Sequence, residues 1–196
     1  MSEASDTVAY VGDLLPFRAD GPGQVLELRP GCPGTGPRTR YGLRRGASAT
    51  QWYDAGCRLE RSDPAAAARA YERALAGCPS LADAHNNLGR LIHDAQAQGA
   101  AAAEASYRLA ICADPGVALY WFNLGVALED QGRHAEAIAA YERGIELDGC
   151  AADAHFNLAR LLELLGRRAH DEAVLRSAVR HLLRYRELTK RSVGAR

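Results

Sequence analysis

Six histidines (His85, His93, His134, His155, His170, His181) and five cysteines (Cys32, Cys57, Cys78, Cys112, Cys150) are the side chains in this sequence best suited to metal or nucleophilic chemistry. Their spacing does not serve it. The histidines form no H-E-x-x-H pair and no H-x-E, the arrangements that set ligands and a base around zinc. The cysteines stand singly, with no C-x-x-C, and their odd total argues against a disulfide framework. No G-x-S-x-G elbow presents a serine. One segment comes closer, because Val25 to Leu28 followed by GCPGTGPRT at 31–39 has the glycine spacing of a strand and phosphate loop. Such a loop needs a lysine and backbone N–H groups around the phosphates. Here Pro37 takes the lysine's place with neither, and no apolar helix follows. The expectation is a protein that is not an enzyme, with no metal site and no cofactor.

The elements around these residues divide by composition. The 196 residues carry 24 basic and 24 acidic side chains, so the net charge is zero, which disfavours a partner held by overall charge such as nucleic acid. That balance hides a polarity. Residues 1–49 are +1, residues 50–164 are −7 (nine basic, 16 acidic) and residues 165–196 are +6 (nine basic, three acidic). Residues 21–46 hold seven Gly and four Pro, a density of breakers that forbids a long helix. Residues 1–48 therefore read as a flexible, irregular arm, with short strands at most at Val8 to Val11 and Val25 to Leu28. Beyond it, the 38 alanines of the chain favour helix. No apolar run approaches the roughly 20 residues of a membrane helix, and MSEASD lacks the parts of a signal peptide. A cytoplasmic location without membrane contact is expected, and 23 Arg against one Lys suits a bacterial, GC-rich genome.

Periodicity decides the architecture. In residues 118–149, ALYWFNLGVALEDQGRHAEAIAAYERGIELDG, the landmarks are Trp121, Leu124, Gly125, Leu128, Gly132, Ala137 and Tyr141. They recur around Leu88, Gly89, Ala103 and Tyr107, around Trp52, Gly56, Ala67 and Tyr71, and around Leu158, Ala159 and Leu162. The small residue steps through Gly56, Gly89, Gly125 and Ala159 at intervals of 33, 36 and 34. Small residues let two helices approach closely while the larger ones fill the space beside them. One such hairpin cannot bury its faces alone, so the units must stack. Leu175, Ala178, Leu182 and Tyr185 make one stripe on the last helix, with Arg176, Arg180 and Arg184 off it, as in a terminal cap with a wet outer face.

On these landmarks the chain resembles the tetratricopeptide repeat family, whose unit is a pair of antiparallel helices. The likeness covers residues 49 to about 188. The departures are a first repeat one residue short at Ser62-Asp63-Pro64, two extra residues around AQAQG in the second, and a fourth whose second helix aligns seven residues late. What the resemblance implies is an all-α solenoid of about four hairpins in a right-handed superhelix (49–81, 82–117, 118–151 and 152–188), followed by a basic tail at 189–196.

In this family, partners usually bind along the concave side, lined by the first helix of each repeat. Mapping by repeat position puts Asp54, Asn87, Asn123 and Asn157 in one row there. The row resembles the asparagine ladders with which some members hold the backbone of an extended peptide, an amide being both donor and acceptor; the alternative is that these residues space the repeats. Phe122 and Phe156 precede the row, while Arg90 and Arg160 follow it, so aromatic, amide and guanidinium groups share the groove. His85 and His155 occupy the place of Trp52 and Trp121, a packing position. The family's chaperone-tail binders clamp a terminal carboxylate with Lys and Arg; here Lys is missing and Arg90 and Arg160 lie two repeats apart, which argues against that activity. The expected function is non-catalytic protein binding, as adaptor, scaffold or assembly factor, through an extended peptide of the partner. The alternative is an accessory role in a transcription-regulatory or nucleic-acid complex through Arg176, Arg180 and Arg184. The charge polarity also allows weak head-to-tail self-association.

Overall fold

The computed structural model describes residues 46–95 and 99–194, and within them the chain is eight helices with no strand. The elements are α1 Ala49–Leu59, α2 Pro64–Gly77, α3 Ala82–Ala95, α4 Gly99–Ala113, α5 Ala118–Asp130, α6 His134–Leu147, α7 Ala152–Ala169 and α8 Glu172–Gly194. They pair as α1/α2, α3/α4, α5/α6 and α7/α8. Each pair stacks on the next through α2 with α3, α4 with α5 and α6 with α7, and α5 also touches α3. This is the helical-hairpin solenoid expected. The arm, its two short strands and its phosphate-like loop lie outside the described residues.

Local chemistry sets the helix ends. Ser48 opens α1 with a capping box, its Oγ accepting from the Gln51 N–H at 3.3 Å while Gln51 Oε1 accepts from the Ser48 N–H at 2.9 Å. Asp63 caps α2 from the Ala66 N–H at 2.8 Å, with Pro64 in the first position, where its missing N–H costs nothing. Asp171 caps α8 from the N–H groups of Ala173 and Val174. Gly132 turns the chain between α5 and α6 at φ +73°, a left-handed conformation that suits glycine.

The core runs between the helices as Ala, Leu and Tyr. Tyr71, Tyr107 and Tyr141 are fully buried, each lying over the small residue of its own hairpin, Gly56, Gly89 or Gly125. The aromatic position of the first helices has a shared task. Trp121 Nε1–H donates to the Pro115 carbonyl at 3.0 Å, His85 Nε2 pairs with the Pro79 carbonyl at 2.9 Å, and His155 bonds the backbone of Gly149. Each carbonyl lies six residues back, so an imidazole N–H replaces the indole N–H in tying the helix to the turn before it.

The fourth unit differs. At 18 residues α7 is longer than α3 (14 residues) or α5 (13 residues), and this added length is why the following helix aligns late. The helix α8 then runs unbroken to Gly194, so the expected boundary at 188 between repeat and tail is not a structural break. Its outer face is not simply wet either. Val179 and Leu183 are 55% and 51% exposed there, between the arginines.

Candidate functional site

The row of predicted groove residues is drawn together, but its amides turn inward. Asn87, Asn123 and Asn157 are 1%, 0% and 6% exposed. Asn123 Nδ2 donates to Asn86 Oδ1 at 2.9 Å, and Asn86 Nδ2 to Asn87 Oδ1 at 3.1 Å. Asn87 Nδ2 in turn reaches the hydroxyls of Tyr53 and Tyr71 at 3.4 and 3.3 Å. Asn157 bonds the Tyr141 hydroxyl. A chain of hydrogen bonds thus crosses three repeats, satisfying donors that would be costly to bury alone. The expectation that this row reaches a ligand meets a placement suited to spacing the repeats. Phe122 is buried against the Tyr141 ring, centroids 5.9 Å apart. Asp54, Phe156 and Arg160 are the predicted residues left partly open to solvent.

Two of the arginines belong to a device that the sequence reading did not assemble. Tyr71 Oη–H donates to Glu60 Oε1 at 2.5 Å, and the other oxygen of Glu60 takes Arg90 from the next repeat at 2.6 Å. Two repeats on, Tyr141 Oη–H donates to Glu129 at 2.9 Å, and Arg160 from the following repeat closes on the same carboxylate. Burial pushes both tyrosine hydroxyls far above their ordinary titration range, so they remain protonated donors. Glu60 and Glu129 stand four residues after Gly56 and Gly125, while Arg90 and Arg160 stand one residue after Gly89 and Ala159. The signal was present in the spacing, but only stacked repeats bring the three groups together.

At the middle junction the corresponding residues are His93 and Val126. His93 Nε2 pairs with Asp130 at 2.8 Å instead, and the Tyr107 hydroxyl and His93 Nδ1 are buried with no hydrogen-bond partner. An unpaired buried hydroxyl costs about 1–3 kcal/mol, while the same group removed from a made bond takes that bond with it. Tyr107→Phe is therefore expected to raise the unfolding free energy by about 1 kcal/mol, whereas Tyr71→Phe lowers it by about as much. Urea denaturation of the two variants measures the opposite signs; a destabilised Tyr107→Phe would show that the hydroxyl is paired in solution.

Between α7 and α8, His155 and His181 face each other with Nδ1 atoms 2.9 Å apart. Burial lowers the affinity of both rings for protons; the charge of His181 adds to this for His155, and that of Arg180 for His181. A histidine whose folded pKa is depressed binds more protons unfolded, so its contribution is complete above the ordinary value of 6.5 and is lost as the pH falls below it. Stability of the α7/α8 pair is expected to decline from pH 7 toward pH 5, and His181→Gln is expected to flatten that decline. Denaturation midpoints across this range check it, and an equally steep decline in the variant would assign the effect elsewhere.

The accessible face carries mixed charge. Asp94 and Asp130 are exposed, and on α8 Arg176 and Arg184 are paired with Glu172 and Glu187 at 3.3 and 3.2 Å. Among the described residues no group of three or more His, Cys, Asp and Glu is placed to hold a metal, and no helix is long and apolar enough to cross a membrane.

Two family models, both described as tetratricopeptide repeat, match the sequence at residues 57–116 and 118–149. No curated protein matches it. Among solved structures, a crystal structure of MamA superposes with a TM-score of 0.63 at 18% identity, covering 74% of this chain and 81% of that one. MamA residues 41 to the end from Desulfovibrio magneticus RS-1 gives 0.61 at 19%, covering 73% and 76%. The first TPR of Spaghetti (RPAP3), bound to the HSP90 peptide SRMEEVD, gives 0.58 at 19%, covering 61% of this chain and 94% of that one. At these identities the likeness is one of fold. With its matched models and its stacked Gly/Tyr hairpins, the chain carries tetratricopeptide repeats through residues 57–116 and 118–149, and such repeats mark a protein–protein interaction module.

Proposed function

We propose that the protein is an adaptor or assembly factor without catalytic activity, which holds an extended segment of a partner protein along the side formed by α1, α3, α5 and α7. The single observation that carries this is the residual chemistry of that side once the buried amides are accounted for. Asp54, Asp94, Asp130, Phe156 and Arg160 reach solvent along it, one aromatic and one cation among three carboxylates. That surface fits a segment with apolar and basic side chains, by charge complementarity. It does not favour a carboxylate-terminated tail, because Arg90 and Arg160 already hold Glu60 and Glu129. The RPAP3 domain of like fold, which carries a peptide, supports the general mode. The amide row contributes indirectly by fixing the spacing of the repeats.

Asp54→Lys, Asp94→Lys and Phe156→Ala combined in one chain would reverse the charge of this surface and remove its aromatic. In affinity capture from the native lysate with quantitative mass spectrometry, the variant should lose the proteins the wild type retains while keeping its circular dichroism spectrum and melting temperature. The same proteins captured by a folded variant would refute the groove reading.

A further inference from the structure

Among the described residues, the stacking rule of this solenoid leaves the α7/α8 hairpin uncovered in an informative way. Each first helix after α1 rides on the pair before it, and at two of three junctions it brings an arginine onto the carboxylate four residues past the small residue: Arg90 onto Glu60 and Arg160 onto Glu129. In the fourth repeat the same place is Glu163, four residues after Ala159. It pairs with Arg167 of its own helix at 2.6 Å, with the arginine about half exposed. A pair of that kind is worth little in water and is readily exchanged. Around it lies a cleft of about 430 Å³ lined on the α7 side by Phe156, Arg160, Glu163 and Arg167 and on the α8 side by Leu175, Val179 and Leu182. Val179 and Leu183 of α8 are exposed, and a second depression, sharing Leu175 and Val179 with the cleft, is bordered by Glu172, Arg176 and Arg180.

We infer that this end face is the seat of one further helix supplied by a partner protein, an amphipathic helix that sets an arginine on Glu163 and acidic residues against Arg176 and Arg180. Both the repeat geometry and the charges argue for it. The arrangement translates the α7-on-α5/α6 interface by one repeat, so the apolar contact and the ion pair arise together. A second copy stacking head to tail fits less well. Its α1 would present Cys57 where Arg90 and Arg160 stand, and residues 49–77 carry four acidic and four basic side chains, which offer no net charge to the arginine rim. The cleft shares Phe156 and Arg160 with the extended-peptide side proposed above, but the inference does not rest on that reading, and its tests at Glu163 and Val179 touch neither shared residue.

A hydrocarbon-stapled peptide of residues 152–169, the chain's own helix of this type, is a direct probe against the full-length protein. Fluorescence anisotropy should show saturable binding, weakened about tenfold or more by Glu163→Gln, or by Arg160→Glu in the peptide, and abolished by Val179→Asp. A photoreactive amino acid placed at Leu183 should cross-link to the peptide. Absence of saturable binding, or binding indifferent to Glu163 and Val179, would overturn the inference. So would cross-links from Leu183 to residues 1–45 of the same chain or to a second copy, or Val179-dependent retention on anionic vesicles, since each names a different occupant.

Discussion

Arg90→Met is expected to lower the unfolding free energy by about 3–5 kcal/mol, the scale for stripping one partner from a buried ion pair. The side chains of Arg90 and Glu60 are only 6% and 10% exposed, so water cannot take over the carboxylate when the guanidinium leaves. The Tyr71 hydroxyl still donates to Glu60, but one neutral donor offsets only part of a buried charge. Removing the charge as well should recover most of the loss, so that Arg90→Met with Glu60→Leu lies within about 2 kcal/mol of the wild type. The partner triad tests whether burial is the cause. Glu129 is as buried as Glu60, at 9%, but Arg160 is 35% exposed, so its removal opens a path for water to the carboxylate, and Arg160→Met is expected to cost about 1–2 kcal/mol despite the same geometry. Guanidinium denaturation of the four proteins decides the matter. Equal losses for Arg90→Met and Arg160→Met would mean that exposure does not set the size of the effect.

The contrast between these two arginines also marks how far the sequence could be read. The hairpins were legible because their landmarks are local: Gly125 and Tyr141 are 16 residues apart and meet within one unit. Even the imidazoles at His85 and His155 could be assigned to packing from their repeat position, since they stand where Trp121 does. The contacts between units were not legible in the same way. Asn87, Asn123 and Asn157 read equally well as a ladder facing a ligand or as spacers, because a repeat position names the helix and its approximate face but not which amide or hydroxyl the next repeat brings within reach. The Tyr–Glu–Arg relay needs residues 30 apart, Glu60 and Arg90, and becomes visible only when stacking is known. The outer face of α8 misled for a related reason. Leu175 and Leu182 share a stripe that lines the α7/α8 cleft, but among the described residues no further unit covers Val179 and Leu183.

Gly125→Ala is expected to destabilise the protein by about 2 kcal/mol, although helix propensity alone would favour alanine by about 1 kcal/mol. The reason is the distance already used up between α5 and α6. A Cβ at Gly125 would lie 2.6 Å from both Cδ1 and Cε1 of Tyr141, closer than real side-chain carbons approach. The ring cannot swing clear. One side meets Phe122, and its hydroxyl is tethered to Glu129 at 2.9 Å. Either the helices part, which loosens close-packed contacts along the hairpin, or the ring moves and gives up its bond to Glu129; overpacking of this kind costs about 1–3 kcal/mol before the lost bond is added. Gly77→Ala is the helical control, because Gly77 closes α2, a Cβ there meets nothing nearer than Ala49 Cβ at 3.4 Å, an ordinary contact, and its φ is not in the left-handed region. The fourth repeat shows the compensation a viable alanine requires. Ala159 stands at the same place, and the α8 side chains lining the cleft with it are Leu175, Ala178, Val179 and Leu182 rather than a tyrosine ring. Urea midpoints for Gly125→Ala and Gly77→Ala, read against the wild type, separate steric cost from propensity; a stabilised Gly125→Ala would mean that α5 and α6 can move apart without loss.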